Sequence, residues 1–252
     1  MYVLNKLPPT YLKARLRLIE QEFERLPVIH QGKHHGISVL RIYCKNGAST
    51  KQFQCRSNSK KGMELLKIKK RRDSLYTDIT IFKGLLEGLP DAPRIDISKV
   101  DTIYNKDMWE RIHIRAEFEE KTTGYQYKDM MMDSRGEMIV AQTLESLGLE
   151  YKYEPRIIIG DEIYYPDFIV YLPEFERCFF IEFMGRLDND KYISRNKFKL
   201  MDYLKAGMVV NKDILLFCGY EDSMVNADDM IDDIVALIKK YCRMYSETAI
   251  AS

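Results

Sequence analysis

The chain is poor in the residues that staple small or metal-built folds together. Its five cysteines (Cys44, Cys55, Cys178, Cys218, Cys242) are odd in number and scattered, with no CxxC pair. That excludes a disulfide framework and zinc-ribbon spacing, and leaves free thiols of a reducing compartment. Only four histidines occur, three of them in the short stretch His30, His34 and His35. No fourth ligand stands nearby, so they read as solvated residues of a loop over 30–36 rather than a zinc site. The single tryptophan, Trp109, is expected to pack in a short helix over 108–118. No apolar run approaches the ~20 residues needed to span a bilayer, and Met1-Tyr2-Val3-Leu4-Asn5-Lys6 lacks the apolar stretch of a secretory signal. A cytoplasmic protein without a membrane partner is expected. Internal repeats and low-complexity tracts are missing too, and 252 residues at 46% hydrophobic suffice for one good core plus a smaller appendage.

What the chain does have is unevenly placed charge. Residues 1–80 carry 17 Lys and Arg against 6 Asp and Glu, whereas residues 81–252 carry 22 against 32, although the net charge is only +1. A basic end on an acidic body suits a polyanionic partner. In that basic end, Leu12, Leu16, Ile19 and Phe23 recur at helical spacing between Pro8-Pro9-Thr10 and Pro27. The runs 37–44 and 50–56 read as strands joined at Lys45-Asn46-Gly47, a hairpin signal. From Ser59 a long helix is expected, with Leu75, Ile79, Phe82 and Leu86 packing its second half and a wet cationic first half. The block Lys60, Lys61, Lys67, Lys69, Lys70, Arg71 and Arg72 is a solvated face in itself; beside a basic ribbon it becomes a candidate nucleic-acid contact. Gly88-Leu89-Pro90 ends this module, and 91–132 reads as a connector.

From residue 133 the pattern changes. Ile139, Val140, Leu144 and Leu147 mark an amphipathic helix with Gly148 as its stop. Strand material follows at 151–153 and 156–159, then a hairpin over 164–185, a helix reaching Lys205, a short strand over 213–218 and a last helix over 228–241. The hairpin is the most informative stretch. Asp167 and Glu182 are the only acids inside its two apolar, β-branched and aromatic runs. Ionised carboxylates in such strands are costly unless compensated, so a shared hard cation such as Mg²⁺ is the simplest candidate. Ser134 and Glu137 form the S-x-x-E capping pattern, which leaves Glu137 divided between closing a capping box and serving the same site.

The order αβββαβα, carrying Ser134-Arg135-Gly136-Glu137, Tyr165-Pro166-Asp167-Phe168, Ile181-Glu182-Phe183-Met184-Gly185 and Lys199-Leu200-Met201-Asp202-Tyr203, resembles the PD-(D/E)XK nuclease superfamily, in a branch of uncharacterised bacterial and phage-type members. The resemblance covers about residues 133–243. It implies a restriction-endonuclease-like α/β core over 133–252 behind an N-terminal basic α+β ribbon-and-helix module over 1–90. It further implies phosphodiester hydrolysis, of DNA, with Mg²⁺ or Mn²⁺ held by Asp167, Glu182 and the Phe183 carbonyl, and Glu137 as an outer ligand or water-orienting base. One position departs from the pattern: its lysine belongs two residues after Glu182, where this chain has Met184. Some members supply that group from the following helix. Lys199 is the first choice here, on a flank with Tyr192, Asn196 and Tyr203, and Lys197 is the rival, grouped with Ile193, Leu200 and Leu204 toward the core. Two alternatives stand beside the enzyme: a catalytically silent nucleic-acid-binding protein that keeps the fold, and a basic module that binds protein or anchors a homodimer.

Overall fold

The structure, a computed structural model, describes residues 3–46, 49–89, 91–115, 123–185, 190–219 and 226–247, with the backbone alone at 44–46, 49–51, 191, 192 and 195. It is a mixed α/β protein. Its chain divides into two compact units, Leu12–Ala92, and Met1–Tyr11 with Pro93–Ser252. Among the described residues no helix is long and apolar enough to cross a membrane.

The first unit holds most of α1 (Pro9–Arg25), a meander of β1 (Ile29–His34), β2 (Ile37–Asn46) and β3 (Ser49–Arg56), and α2 (Lys60–Leu86). The expected loop over 30–36 is instead strand β1 and its turn. Every residue from Ile29 to His34 pairs antiparallel with β2, and the turn at His35 and Gly36 has φ of 48° and 77°, the twist a two-residue hairpin requires. Its polar residues hid it, because an outer strand buries little: only Ile29 is buried. The helix α2 starts where Ser59 accepts a hydrogen bond from the Gly62 amide at 3.0 Å. Its first half is not wholly wet, since Leu65 is buried with Ile29 and Leu40 in a small core between helix and sheet.

The second unit is built on a four-stranded sheet ordered β11-β10-β9-β6. The strands are β6 (Glu150–Tyr153), β9 (Phe168–Leu172), β10 (Arg177–Met184) and β11 (Ile214–Cys218), with only the β10–β11 pair parallel. The helices α4 (Arg135–Ser146), α5 (Asp190–Lys205) and α6 (Ala227–Tyr245) are interleaved as the sequence pattern expects, and a hairpin of β7 (Ile157–Ile159) and β8 (Glu162–Tyr164) is inserted before β9. Period-2 alternation sorts the strands. Ile169, Tyr171, Cys178, Phe180 and Ile214 form one apolar layer with Tyr203 and Met208, while Phe168, Val170, Phe179, Ile181 and Phe183 point the other way, the side on which Phe183 meets α4.

The stretch read as a connector contributes to this second unit from Pro93 onward. The Tyr104 carbonyl accepts from the Cys178 amide at 2.8 Å. The helix around Trp109 is short, α3 (Lys106–Arg111), and the Trp109 ring stacks on Tyr171 with centroids 5.4 Å apart; the expected end of that helix, Phe118, lies outside the described residues. The polar run after residue 121 includes a hairpin of β4 (Tyr125–Tyr127) and β5 (Met130–Met132).

Candidate functional site

The ladder between β9 and β10 pairs Phe180 with Ile169 and Ile181 with Phe168. Continued by one step, that register sets Glu182 directly opposite Asp167, so the two carboxylates leave the sheet on the same face. Asp167 stands immediately before β9, held there by its own carbonyl, which accepts from the Glu154 amide at 2.8 Å. Where the backbone ladder stops, the side chain takes over. Oδ2 of Asp167 accepts from the Phe183 amide at 2.5 Å. Because a strand residue turns its N–H and C=O to the same side, the Phe183 carbonyl is also directed toward Asp167.

Glu182 is buried, at 4% exposure, and each of its carboxylate oxygens has a donor. From α5, the Lys199 ammonium lies 2.7 Å from Oε1 and 2.9 Å from Oε2. The Tyr203 hydroxyl donates to Oε1 at 2.7 Å. These donors are four residues apart on one helical flank and so reach the same point. Lys199 also donates to the Tyr165 carbonyl at 2.9 Å, which ties it to the segment entering β9. Lys197, by contrast, is exposed, and so are Ile193 and Leu204, with which it was grouped as core-facing. That flank of α5 faces away from the sheet because Tyr203, with Leu200 beside it, fills the layer on the other flank.

Glu137 serves the cap of α4, although its carboxylate reaches the Asp133 amide and the Ser134 hydroxyl rather than the Ser134 amide of a capping box. Ser134 accepts from the Glu137 amide at 3.1 Å and donates to Oε1 at 2.8 Å, while the Asp133 amide and the Tyr153 hydroxyl donate to Oε2 at 3.0 and 2.6 Å. The cap is also electrostatically part of the site. Burial, and then the charges of Glu182 and Glu137, push the Asp167 carboxyl well above its usual range, with Lys199 and the Phe183 amide opposing. Burial likewise raises Glu182, against the lowering effect of Lys199 and Tyr203. The hydroxyls of Tyr203 and Tyr153 are held far above the ordinary phenol value by burial and then by their carboxylates, so both remain donors.

Gly136 brings Glu137 this close. A Cβ at that position would overlap the Phe183 ring, so only glycine lets the first turn of α4 sit on the residue beside Glu182. The result is three carboxylates in mutual electrostatic reach with one ammonium. Comparison with family models, characterised proteins and solved structures returned no match.

Among the described residues no group of three or more His, Cys, Asp or Glu side chains converges as a metal cage. What the site offers a cation is two carboxylates at opposed positions and a backbone carbonyl, all hard oxygen donors, within an excess of negative charge. That donor set fits Mg²⁺ or Mn²⁺ better than a thiophilic metal.

The cationic block of α2 divides into two groups. Arg72 is turned inward, donating to the carbonyls of Phe23 and of Leu26, the latter at 2.7 Å, with its guanidinium 3.8 Å from the Phe23 ring centroid. It therefore closes the C-terminal end of α1. Arg71 pairs with Glu22 through two bonds of 2.6 Å, and Lys69 with Asp73 at 2.6 Å. Lys61 lies 4.0 Å over the Phe53 ring. Lys60, Lys67 and Lys70 are exposed. Sequence reasoning did not place Tyr203 or Tyr153 in the site. The i,i+4 spacing of Tyr203 from Lys199 was a usable signal for the first; the second had none, because its partner is remote in sequence.

Proposed function

We propose that this chain is a metal-dependent nuclease of the PD-(D/E)XK kind that hydrolyses phosphodiester bonds in DNA. Its restriction-endonuclease-like core would be α4, β6, β9, β10, α5, β11 and α6 in that order, with the basic unit at 12–92 gripping the nucleic acid. The observation that carries this reading is the Lys199 ammonium at the Glu182 carboxylate, 2.7 Å away: the cation missing at Met184 arrives from the helix.

Asp167, Glu182 and the Phe183 carbonyl would hold Mg²⁺ or Mn²⁺. When bound, such an ion offsets phosphate charge and makes a coordinated water nucleophilic at neutral pH. The protein's own groups supply the rest. Tyr203 fixes the Glu182 carboxylate from α5, and the Phe183 amide fixes that of Asp167. Lys199, anchored on Tyr165 and Glu182, presents a cation to charge that develops on the scissile phosphate, the contribution that accelerates chemistry rather than binding. Glu137 holds the first turn of α4 in place through Ser134 and the Asp133 amide.

The test is cleavage of plasmid, single-stranded DNA and RNA in Mg²⁺, Mn²⁺ or EDTA, by wild type and by Asp167→Asn. Metal-dependent DNA cleavage lost in the variant supports the reading; cleavage by Asp167→Asn at the wild-type rate overturns it. A second reading has its own observation. Lys199 and Tyr203 already satisfy both Glu182 oxygens with no ion needed, as they would in a silent nucleic-acid-binding protein that uses the pair only to hold α5 on the sheet. Absence of cleavage under every condition selects that reading.

A further inference from the structure

We propose that the outer face of the β1-β2-β3 sheet reads base edges in the major groove of duplex DNA, and that the exposed lysines of α2 do not. The proposal rests on reading residues 12–92 as a nucleic-acid-binding unit and gives that unit a surface.

The pairing register sorts the sheet into two faces. Ile29, Leu40, Ile42 and Cys55 lie on the face covered by α2. On the opposite face, His30 pairs with Arg41, Arg41 with Gln54, Tyr43 with Gln52, and Val39 with Gly32 and Arg56. Val39, near the start of the middle strand, is buried; beyond it His30, Tyr43, Gln52, Gln54 and Arg56 are exposed and Arg41 is partly so. The Arg41 guanidinium donates to Gln54 at 3.0 Å, the Gln52 amide donates to Gln54 at 3.4 Å, and the His30 and Tyr43 rings meet edge to face at 5.5 Å. These side chains thus form one contiguous patch.

The charge of the sheet matches a polyanion. Between Glu24 and Glu64 the chain contains no Asp or Glu, so none of the three strands carries a carboxylate. The composition then narrows the partner. Arginine and glutamine are among the side chains that pair bidentately with guanine and adenine edges in the major groove, which is ~12 Å wide and admits a two-stranded β-ribbon; Arg41, Tyr43, Gln52 and Gln54 all lie on the β2–β3 pair. A platform for single strands works by stacking successive bases on several aromatic rings; on this face the His30 ring is turned edge-on to Tyr43 and His34 edge-on to His35, so the rings pack against each other rather than lie open in a row. The deep, narrow major groove of A-form RNA is closed to such a surface. B-form duplex DNA remains. Gly32, where a side chain would meet nothing within 4 Å, leaves the β1 edge of the patch beside Val39 open to close approach.

The test uses the full-length protein in EDTA, so that binding is separated from cleavage. A randomised duplex library is selected on wild type, and the enriched duplex is probed for dimethyl sulfate protection at guanine N7, which lies in the major groove. Enrichment of a defined motif with N7 protection is expected. Arg41→Ala and Gln54→Ala should each lower the preference for that motif over a scrambled duplex by roughly 5- to 100-fold. Lys67→Ala and Lys70→Ala should weaken both duplexes equally and leave the ratio unchanged. Circular dichroism on the surface variants excludes unfolding as the cause. Binding without an enriched motif, tighter binding of single strands or RNA than of duplex, or an unchanged ratio in both face variants overturns the face while leaving the nucleic-acid reading standing. No binding to any nucleic acid overturns both.

Discussion

The Lys199 ammonium, carried by helix α5, lies 2.7 Å from the carboxylate of Glu182 on strand β10, while the strand position two residues beyond that glutamate is Met184. If the helix lysine does the work of a strand lysine, Lys199→Ala should lower the cleavage rate by about 10²–10³ while leaving DNA affinity nearly unchanged. Lys197→Ala, which alters an exposed side chain, should leave the rate within a few-fold of wild type. Met184 shares its face of β10 with Glu182 by strand alternation, so Met184→Lys in the Lys199→Ala background should recover part of the lost rate. Single-turnover kinetics at saturating protein measures all three. Normal cleavage by Lys199→Ala would remove the lysine from the mechanism.

A second prediction concerns Gly136. Its replacement by alanine forces a methyl into the Phe183 ring, and overpacking of this sort costs ~1–3 kcal/mol. Urea denaturation should report that loss, and cleavage should fall further than stability alone explains, because Glu137 and the Asp167-bonded amide of Phe183 shift together. Pairing Gly136→Ala with Phe183→Leu should be less destabilising than the sum of the single changes. Strict additivity would mean that the two residues are not in contact.

The crowded carboxylates make the metal-free protein sensitive to pH in a definite sense. The folded Asp167 carboxyl holds its proton more tightly than the unfolded chain does, chiefly through burial and then through Glu182 and Glu137. Stability from this group is therefore complete below the unfolded carboxylate pKa, roughly 4, and is lost as pH rises through the higher folded value. In EDTA, Asp167→Asn should be more stable than wild type at neutral pH and equal to it near pH 3. Mg²⁺ should raise the melting temperature of wild type at pH 7 and not that of the variant. A pH-independent difference between the two would show that these charges carry no strain.

Arg72 and Lys67 lie five residues apart on α2 and should respond differently to removal. Arg72→Ala takes away the donor that closes α1 and its contact with Phe23, so unfolding of the basic unit should become easier, by roughly 1–3 kcal/mol. Lys67→Ala should leave stability unaltered. If Lys67 touches phosphate, its loss lowers the dependence of log affinity on log salt by about one. Truncating the whole basic end is a poorer test, since Leu7 and Tyr11 are buried in the other unit, with Tyr11 stacked on Phe175.

Helix α4 could be read from the sequence at both ends, because Ser134 and Gly148 carry their own physics: a hydroxyl that caps an amide, and a residue free to take φ of 65°. The pairing of Asp167 with Glu182 could be anticipated from two acids in otherwise apolar runs. Strand β1 could not, since an outer strand with one buried residue leaves no alternation of hydrophobicity to detect. The preference for Lys199 over Lys197 had little footing in the pattern itself, because spacing along α5 defines two flanks and says nothing about which one the sheet receives. Ile193 and Leu204 pointed to the wrong flank. Apolar residues are common on surfaces, and an exposed one is a weak guide. Packing of Tyr104 and Trp109 on the sheet was hidden for a different reason: that segment is tied down by remote partners rather than by any local pattern.

The unit bearing the candidate site is interrupted in sequence by the entire basic unit, with Tyr11 on one side of the interruption and its ring partner Phe175 on the other. During synthesis, the contacts within 12–92 are all available once that stretch has emerged, whereas Tyr11 must wait for a ring partner more than 160 residues away in the sequence. Phe175 is itself packed by Tyr241 and Tyr245 of the last helix. The unit bearing the candidate site is thus the last to be completed, and a chain that stops between residue 92 and α6 would carry the whole of 12–92 while lacking the rings that pack Phe175.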